Sequence, residues 1–424
     1  MFESFKNHLS PYINDWDAFF SAISVRTERS FRLTKSRNIP YENERYDKIT
    51  DSITFQTGGA YIMNPSSILP AEILASHMPA EPLILDLSAA PGGKTCALSD
   101  LVARGGLIVA NEPSPARLKA LHFNLERCGA WNTKTLSHDG RSLSRFYSGV
   151  FDGVLLDAPC SHENQIATNP KIASQWSPAY VQELAKLQSQ LILSAYDCLK
   201  EGGVLVYSTC TFSVEENERI IRHLLDSRED AELIKLEHQF SRGISGDDTV
   251  DECVLRILPH LQADNMHDGF FVAAISKGEL SLNGRAAPAP TPQDKIVDEF
   301  FTTLPPHILK DVNGQVYIES TVPLRGDFRR TGMVFGKRAK RDTFELSSQA
   351  LWEFGALTHA ELRQEVSESI AHDYLKGFDT PLTNEYNRKL FFYNGIPVGV
   401  TKIVDNMHKN KLDRYFLYGK TIEW

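Results

Sequence analysis

The 424-residue sequence predicts an α/β protein whose central domain is a doubly wound parallel sheet with helices on both faces. Between about Glu81 and Lys277, short apolar runs bounded by turn residues alternate with amphipathic helical segments. Continuous apolar runs are typical of strands that are buried on both faces, as they are in a parallel sheet. In a sheet of this kind, ligands bind at the carboxyl ends of the strands.

Six apolar runs are the predicted strands: PLILDL, GLIVANE, TKTLSHD, FDGVLLDAP, GGVLVYSTCT and GFFVAAISK. Between the fourth and the fifth, Ser177 is a predicted N-cap and Pro178 takes the first helical position. The apolar face of this helix continues to the glycine pair at Gly202, which is predicted to end it. After the fifth run, Ser213 and Glu216 fit a capping box that starts the helix VEENERIIRHLL.

A stretch rich in Gly, Ala and Pro divides the chain. Residues 278–292 have few side chains to bury and are predicted to be a linker. The linker separates a Rossmann-like domain at 76–277 from a C-terminal region at 293–424. A predicted N-terminal RNA-binding region at 1–75 precedes both.

Basic residues cluster in the two flanking regions, and this clustering predicts RNA-binding surfaces. The groups are Arg26, Arg29, Arg32, Lys35 and Arg37; Arg325, Arg329, Arg330, Lys337, Arg338, Lys340 and Arg341, with Phe328 and Phe335; and Lys402, Lys409, Lys411 and Arg414, with Tyr415 and Phe416. The net charge is −9, so contact with phosphates depends on such local faces. Each run taken alone also fits an ordinary solvated surface.

Cysteine spacing and hydropathy exclude several classes of protein. The six cysteines contain no C-x-x-C pair and are too scattered for a zinc site or a disulfide framework, so no metal is expected. The first residues lack the pattern of a secretory signal, and no apolar run reaches the ~20 residues that span a bilayer. We therefore expect a cytoplasmic monomer that does not enter a membrane.

A glycine-containing turn follows the first predicted strand and leads directly into a helix. It reads Ser88, Ala89, Ala90, Pro91, Gly92, Gly93 and Lys94. Glycine at such a turn lets the backbone and the first helical amides approach a ligand. A P-loop would need glycine where Ser88 stands, and the G-x-G-x-x-G pattern is absent. The turn therefore predicts a nucleoside ligand without phosphates.

Acidic residues end the next three predicted strands. Glu112 follows Gly92 by twenty residues, where a carboxylate can accept both ribose hydroxyls. Asp139 is placed to meet an adenine edge, and Asp157 to lie near the methionine portion of the ligand and a target base. One strand-end acid is often a structural cap, but three in succession after the glycine turn predict an adenosyl cofactor.

Two cysteines are predicted at the same edge of the sheet. Carbon 5 of cytosine is a poor nucleophile, and a thiolate that adds at carbon 6 activates it. Cys210, in Y-S-T-C-T, ends the fifth strand, and Cys160, in D-A-P-C-S, ends the fourth. Neighbouring strands place both thiols beside the cofactor, and a following helix amino terminus is expected to lower the pKa of the nucleophile.

The motifs D-x-S-A-A-P-G-G-K-T, L-L-D-A-P-C-S and Y-S-T-C-T-x-x-x-E-E-N-E resemble the signatures of the Nop/Sun family of RNA 5-methylcytosine methyltransferases. The similarity extends at least from Tyr61 to Ile275. It implies an S-adenosylmethionine-dependent enzyme in which the turn from Ser88 to Lys94 and the three strand-end acids bind the cofactor.

The resemblance also implies roles for the residues nearest the base. Cys210 would attack carbon 6, Cys160 would help to release the methylated RNA, and Asp157 would touch the target base. The C-terminal region resembles that of bacterial members that modify small-subunit ribosomal RNA and end in a PUA-like RNA-binding module. The segments G-I-P-V-G at 395–399 and Lys409-Asn410 carry this second resemblance.

The sequence departs from the family pattern at four places. His162 replaces the common glycine after P-C-S, and A-T-N stands at 167–169 where a basic residue usually precedes Pro170. The segment R-L-T at 32–34 replaces R-x-N, and Met63-Asn64 replaces a Gln-acid pair. His162 could tune the neighbouring Cys160 thiol, with a solvent-facing loop histidine as the alternative.

Four other functions stay open at this point. A tRNA cytosine methyltransferase would share the whole cofactor and thiol machinery. A DNA cytosine methyltransferase would use the Pro-Cys thiol, here Cys160, as nucleophile. A P-loop hydrolase is disfavoured by Ser88. A non-catalytic RNA-binding or ribosome-assembly factor would keep the fold without methyl transfer.

Overall fold

The computed structural model describes residues 2–25, 30–34, 46–102, 105–237, 239–263, 266–281, 294–339, 343–383 and 387–417. Within them a central mixed sheet carries helices on both faces, and smaller sheets lie on its N- and C-terminal sides. None of the described helices combines the length and the apolar character needed to cross a membrane.

The N-terminal region packs against the segment that follows the fifth predicted strand. Its elements are α1 (Phe2–Leu9), α2 (Trp16–Ser24), β1 (Phe31–Leu33), α3 (Ile53–Gln56), β2 (Ala60–Ile62) and α4 (Pro65–Ser76). Phe5 and Phe19 are fully buried and share an apolar cluster with Trp176 and Phe212. The rings of Phe19 and Phe212 meet edge-on with centroids 4.9 Å apart. Because Phe212 lies two residues after Cys210, this packing fixes the backbone beside the predicted nucleophile.

The central domain contains all six predicted strands. Its elements are β3 (Leu83–Asp86), α5 (Gly93–Leu101), β4 (Leu107–Asn111), α6 (Pro115–Arg127), β5 (Thr133–Leu136), α7 (Ser144–Tyr147), β6 (Phe151–Asp157), α8 (Pro170–Gln175), α9 (Pro178–Asp197), β7 (Leu199–Thr209), α10 (Glu218–Ser227), β8 (Ala231–Ile234), α11 (Asp248–Asp251), β9 (Leu255–Ile257) and β10 (Phe270–Lys277). The strand order is β5-β4-β3-β6-β7-β10-β8, and β9 pairs with β10. The order reverses at β3, so a ligand is expected above β3 and its neighbours.

Alternate residues of the inner strands enter two separate apolar layers. Leu85 and Leu156 belong to the cluster on one face of the sheet, whereas Ile84 and Leu155 belong to the cluster on the other. All four side chains are fully buried. Burial of one such aliphatic side chain contributes about 1.5–3 kcal/mol. The continuous apolar runs of the sequence therefore reflect burial on both faces, as predicted.

The prediction of a purely parallel sheet is wrong for its last strand. β3 to β7 are mutually parallel, but β10 runs antiparallel to β7 and to β8. An antiparallel strand buried on both faces has the same apolar run as a parallel one. Hydropathy therefore does not reveal its direction.

Two helix boundaries also differ from the prediction. α9 begins after the Ser177 cap, as predicted, but it ends at Asp197, and β7 already starts at Leu199. The helix ends early because the chain there pairs with β6, with Leu199 opposite Phe151. The helical periodicity of the sequence does not predict this pairing. Gly202 has a φ of +73° inside the strand instead of ending the helix.

The predicted capping box is not formed. Ser213 precedes a short 3-10 turn at Val214–Glu216 and makes no side-chain cap, and α10 begins only at Glu218. The Glu216 carboxylate instead accepts hydrogen bonds from the Ser161 amide and from Gln188. A tertiary contact has displaced the local one.

The C-terminal region adds two small sheets and one strand of the central sheet. Its elements are α12 (Lys295–Phe300), β11 (Ile308–Val312), β12 (Gln315–Glu319), β13 (Arg330–Thr331), β14 (Met333–Arg338), β15 (Phe344–Leu346), α13 (Ser348–Phe354), β16 (Arg363–Glu365), α14 (Glu368–Leu375), β17 (Thr380–Pro381), β18 (Leu390–Tyr393), β19 (Ile396–Val404) and β20 (Met407–Asn410). The sheets have the orders β11-β12-β14-β15 and β16-β18-β19-β20-β17. β13 pairs with the edge strand β5, and Trp131 of the central domain is buried in the C-terminal core.

The domain boundaries at 75, 277 and 292 stay predictions. Within the proposed linker, residues 282–292 lie outside the described part of the chain, as do Arg26, Arg29, Lys35, Arg37, Lys340 and Arg341 of the basic groups.

Candidate active site

The glycine turn between β3 and α5 is shaped for close approach of a ligand. Gly92 has a φ of +110°, and a Cβ there would lie 3.0 Å from Leu121 Cδ1. A Cβ on Gly93 would lie 3.0 Å from the ring of Tyr61. Arg117 donates to the Ala90 carbonyl at 2.7 Å and so holds the turn in place. The left-handed backbone therefore favours glycine at Gly92, whereas at Gly93 the limit is the space beside Tyr61.

The ends of β3, β4 and β5 are tied together at this edge. The side-chain amide of Asn111 donates to the Leu87 carbonyl at 3.1 Å and to the His138 carbonyl at 3.0 Å. The Ala89 amide donates to the Asn111 carbonyl at 2.9 Å. The turn at 88–94, Glu112 and Asp139 therefore lie along one edge, as the sequence predicts.

Glu112 has one carboxylate oxygen suited to a cofactor hydroxyl. Its side chain is 1% exposed, and Oε1 accepts the Ser114 amide at 2.8 Å. Oε2 lies 3.1 Å from Arg117 Nη1, yet no described group donates a hydrogen bond to it. A buried carboxylate oxygen with unused hydrogen-bonding capacity fits a ribose hydroxyl as donor.

Asp139 occupies the rim of the site. It caps a short turn, its side chain is 48% exposed, and Arg141 donates to both of its carboxylate oxygens. This Arg141 contact holds the pKa of Asp139 below its usual range. An adenine amino group would have to share the carboxylate with Arg141.

Asp157 connects the cofactor turn to the thiol-bearing strand. Its carboxylate accepts hydrogen bonds from Lys94 Nζ at 2.7 Å and from the Ser208 hydroxyl at 2.8 Å. Lys94 lies in the first turn of α5, and Ser208 is near the end of β7. Cys210 follows Ser208 by two residues, so the predicted nucleophile is linked to the predicted cofactor turn through one carboxylate.

The two predicted thiols lie in direct contact. Cys160 Sγ and Cys210 Sγ are 3.3 Å apart. Cys160 is 4% exposed, whereas Cys210 is partly accessible. The hydrogen bond between them raises the pKa of Cys160 and lowers that of Cys210, so Cys160 donates its S–H to the Cys210 thiolate. The accessible sulfur is therefore the anionic one.

His162 completes the environment of Cys210. Its Nδ1 lies 3.0 Å from Cys210 Sγ, and its backbone is left-handed with a φ of +53°. The Cys160 hydrogen bond, and then the hydrogen bond and positive charge of His162, lower the pKa of Cys210 to about 6. In return, the hydrogen bond to Cys210 and the charge of its thiolate raise the pKa of His162 to about 9. An imidazolium–thiolate pair is thus favoured between about pH 6 and about pH 9.

Two expectations about this loop are corrected by the contacts. The His162 ring bonds the predicted nucleophile Cys210, and only the backbone of His162 bonds its neighbour Cys160. The expected helix amino terminus does not follow Cys210 directly, because α10 begins only at Glu218 and the loop amides of Phe212 and Ser213 both donate to Glu163 at 2.8 Å. The neighbouring side chains lower the pKa of Cys210 instead.

Sequence reasoning missed the buried acids that hold the two cysteine loops. Glu163 is fully buried and also accepts the indole N–H of Trp176 at 2.8 Å. Glu216 binds the amide and the hydroxyl of Ser161, next to Cys160. Burial raises the pKa of Glu216 to about 8. Glu163 carried no signal beyond its place after Cys160, and Glu216 was predicted only as part of a capping box. Their partners, which are distant in sequence, could not be predicted.

The other departures from the family pattern have structural roles here. Arg32 on β1 pairs with Asp100 at 2.5 Å. Asn64 caps α4 by accepting the Ser66 amide at 2.9 Å. Asn169 caps α8 in the same way. None of these contacts involves a predicted cofactor-binding residue or either of the two predicted thiols.

A second concave region lies away from the thiols, between the central domain and the C-terminal region. This groove has a volume of about 1190 Å³, and its lining includes eight Lys and Arg against five Asp and Glu. Lys337 and Tyr415 line it and are exposed, as predicted for an RNA surface. Phe335 and Phe416 are buried in apolar clusters and cannot stack on bases, contrary to the prediction.

Several predicted basic residues are neutralised by neighbouring acids. Arg330 pairs with Glu126 at 2.8 Å, Lys402 with Glu345 at 2.7 Å, and Lys409 with an aspartate of the PUA-like part at 2.9 Å. The free positive charge of the groove is therefore smaller than the sequence indicates.

Fold and site together define an S-adenosylmethionine-dependent, Rossmann-like methyltransferase with a C-terminal PUA module. Residues 73–276 match the family model described as 16S rRNA methyltransferase RsmB/F, and residues 361–418 match the model of the methyltransferase RsmF PUA domain. The chain belongs to the RsmB/F methyltransferase family.

Individual relatives agree with this assignment. The chain is 31% identical over 392 residues to ribosomal RNA small subunit methyltransferase F of Vibrio atlanticus, covering 86% of this chain and 80% of the relative. It is 38% identical over 254 residues to the protein of that name from Pectobacterium atrosepticum, covering 60% of this chain and half of the relative. A crystal structure of a methyltransferase homologue from Pyrococcus horikoshii superposes with a TM-score of 0.54 at 25% identity, covering 64% of this chain and 94% of that one.

Proposed function

We propose that this protein transfers the methyl group of S-adenosylmethionine to carbon 5 of a cytosine in small-subunit ribosomal RNA, with Cys210 as the nucleophile. The observation that carries the proposal is the position of Cys210 Sγ, 3.3 Å from Cys160 Sγ and 3.0 Å from His162 Nδ1. This position is at the strand edge that also holds the cofactor turn. The bound cofactor supplies an electrophilic methyl group.

The chain's own groups then account for activation of the base. The Cys210 thiolate adds to carbon 6, and the ring electrons shift toward carbon 5, which becomes nucleophilic. Asp157, which accepts hydrogen bonds from Lys94 and Ser208, would bind the polar edge of the cytosine. After methyl transfer, a water molecule takes the carbon 5 proton, the electron pair of that C–H bond restores the ring double bond, and the carbon 6–sulfur bond breaks to release Cys210 as a thiolate. Cys160, in contact with Cys210, assists this release.

The RNA is proposed from the relatives and from the groove. The relatives are small-subunit ribosomal RNA enzymes by name, and the groove offers basic and aromatic side chains beside the PUA module. A cytosine in a helix must be unstacked at a cost of a few kcal/mol, so a loop or an assembly-stage RNA is favoured. The proposal includes action as a monomer in the cytoplasm, where bacterial ribosomal RNA is made.

Two variants test the roles of the thiols. Cys210→Ala should form no covalent complex with substrate RNA, whereas Cys160→Ala should accumulate one, visible as a slow-migrating band on a denaturing gel. Cys253→Ala, a half-buried cysteine elsewhere in the domain, is the matched control and should behave like the unmodified chain. The opposite pattern, with Cys160 required for the complex, would replace this mechanism with that of a DNA-type enzyme.

Bisulfite sequencing tests the choice of RNA. Total RNA from cells that express the chain or the Cys210→Ala variant should differ at a cytosine of small-subunit ribosomal RNA. A difference confined to tRNA would reassign the substrate. The absence of any difference, together with tight cofactor binding, would favour a non-catalytic assembly factor.

A further inference from the structure

The thiol pair and the histidine beside it form a compact set of metal-ligating atoms. Cys160 Sγ, His162 Nδ1 and Cys210 Sγ all lie within 4.8 Å of one another. We propose that these three residues bind a zinc ion, and that zinc binding and nucleophilic attack by Cys210 exclude one another. Only the second part, the inhibition, rests on the proposed function.

The donor set matches the preferences of zinc. Two thiolates and one imidazole, with a fourth position left to water, are a known ligand combination for Zn²⁺. With Zn–S bonds of about 2.3 Å and Zn–N bonds of about 2.0–2.1 Å, tetrahedral geometry separates the two sulfurs by about 3.8 Å and sulfur from nitrogen by about 3.5 Å. The observed contacts are 3.3 Å and 3.0 Å. Each contact has to lengthen by only about half an ångström.

The site is open on one side and held on the other. Cys160 is buried, and the loop that follows it is fixed by Glu216 through the Ser161 amide and hydroxyl. Cys210 is partly accessible and His162 is exposed, so an ion can enter from solvent and keep a water ligand. The left-handed backbone of His162 turns its ring toward Cys210.

Zinc binding occupies the sulfur that the proposed reaction needs. Zn²⁺ is bound by cysteine as the thiolate and by histidine as the neutral imidazole, so protons carried by these three groups leave when the ion binds. The Cys210 electron pair then forms a bond to zinc and is not available to add to cytosine.

Metal titration of the full chain tests the site without RNA or cofactor. Co²⁺ should produce a thiolate-to-cobalt charge-transfer absorption with one ion per chain, and Zn²⁺ should displace it. Calorimetry in buffers of different ionisation enthalpy should report release of protons as zinc binds. No absorption band, or a stoichiometry of zero, would overturn the proposal.

Three variants locate the ion. Cys160→Ser should weaken zinc binding by at least about a hundredfold and His162→Gly by at least about tenfold, judged against the effects of supporting groups at metal sites. Glycine suits the left-handed backbone at 162, so that variant is expected to fold. Cys253→Ser is the control and should bind zinc unchanged. Equal zinc affinity in all three variants would place the ion elsewhere and overturn the site.

Inhibition of methyl transfer by zinc is measured separately from zinc binding. If methyl transfer is observed, stoichiometric zinc should abolish it and a chelator should restore it. Zinc binding at the triad without any methyl transfer would leave the metal site standing and remove the proposed function. Full methyl transfer by the zinc-loaded chain would overturn the claim that the two states exclude one another.

Discussion

Replacing His162 with asparagine should raise the pKa of Cys210, so that a smaller fraction of its sulfur is ionised near neutral pH. Asparagine accepts the left-handed backbone at this position better than most residues, so the change removes the imidazolium and keeps the loop. The remaining partner, Cys160, still donates its hydrogen bond to Cys210. The pKa of Cys210 should therefore rise from about 6 to a value below that of an ordinary cysteine.

The size of the effect is bounded by two pKa values, that of Cys210 in the unmodified chain and that of an ordinary cysteine. At about pH 6.5, a thiol with a pKa of about 6 is roughly three-quarters ionised. An ordinary cysteine with a pKa of about 8.5 is ionised to about 1%. A rise of one unit in the variant reduces the thiolate fraction at this pH about threefold, and a larger rise reduces it further. A thiolate of higher pKa is also intrinsically more nucleophilic, so the rate at high pH should rise about threefold per unit.

Alkylation by iodoacetamide from about pH 5 to about pH 9 measures this shift, with the Cys210 peptide followed by mass spectrometry. The rate should depend on the deprotonated form, so it falls below the pKa in each protein. The variant curve should have a higher midpoint and a higher plateau. His372→Asn in the PUA module serves as control. An unchanged midpoint in His162→Asn would refute the assigned role of His162.

Three further changes test other parts of the structure. Gly92→Ala places a side chain in a left-handed, crowded position and should weaken binding of S-adenosylhomocysteine by about tenfold or more in calorimetry, without preventing folding. Arg256→Leu leaves a buried carboxylate without its arginine and should lower the free energy of unfolding by about 3–5 kcal/mol in urea, whereas Arg219→Leu, which removes an exposed arginine from a glutamate that His8 also contacts, should lower it by less than about 1 kcal/mol. Lys337→Ala in the groove should lower the salt dependence of RNA binding by about one unit of slope, whereas Lys186→Ala on α9 should leave it unchanged.

Most of the fold could be predicted because strands that are buried on both faces have mostly apolar sequences. The runs that became β3, β4 and β6 are mostly apolar, as is the second half of β7, and Ser177 with Pro178 marks the start of α9 as predicted. The direction of β10 and the end of α9 depend on which strand lies alongside. Those pairings join residues far apart in sequence, and local patterns do not contain them.

In the candidate site, too, features set by local sequence could be predicted, whereas contacts between residues distant in sequence could not. Strand ends and short motifs were sufficient to bring Cys160 and Cys210 together, because parallel neighbours end at one edge. The contact from His162 to Cys210 could not be predicted, since it depends on a left-handed turn and on the ring orientation that follows. The support from Glu163 and Glu216 crosses about fifty residues of sequence in each case.

The central claim is that the sulfur of Cys210 bonds to the pyrimidine ring. The most direct measurement is mass spectrometry of the adduct formed with small-subunit ribosomal RNA containing 5-azacytidine, which traps the covalent complex. After protease and nuclease digestion, the nucleotide should be found on the peptide that contains Cys210. Its attachment to the Cys160 peptide would contradict the account.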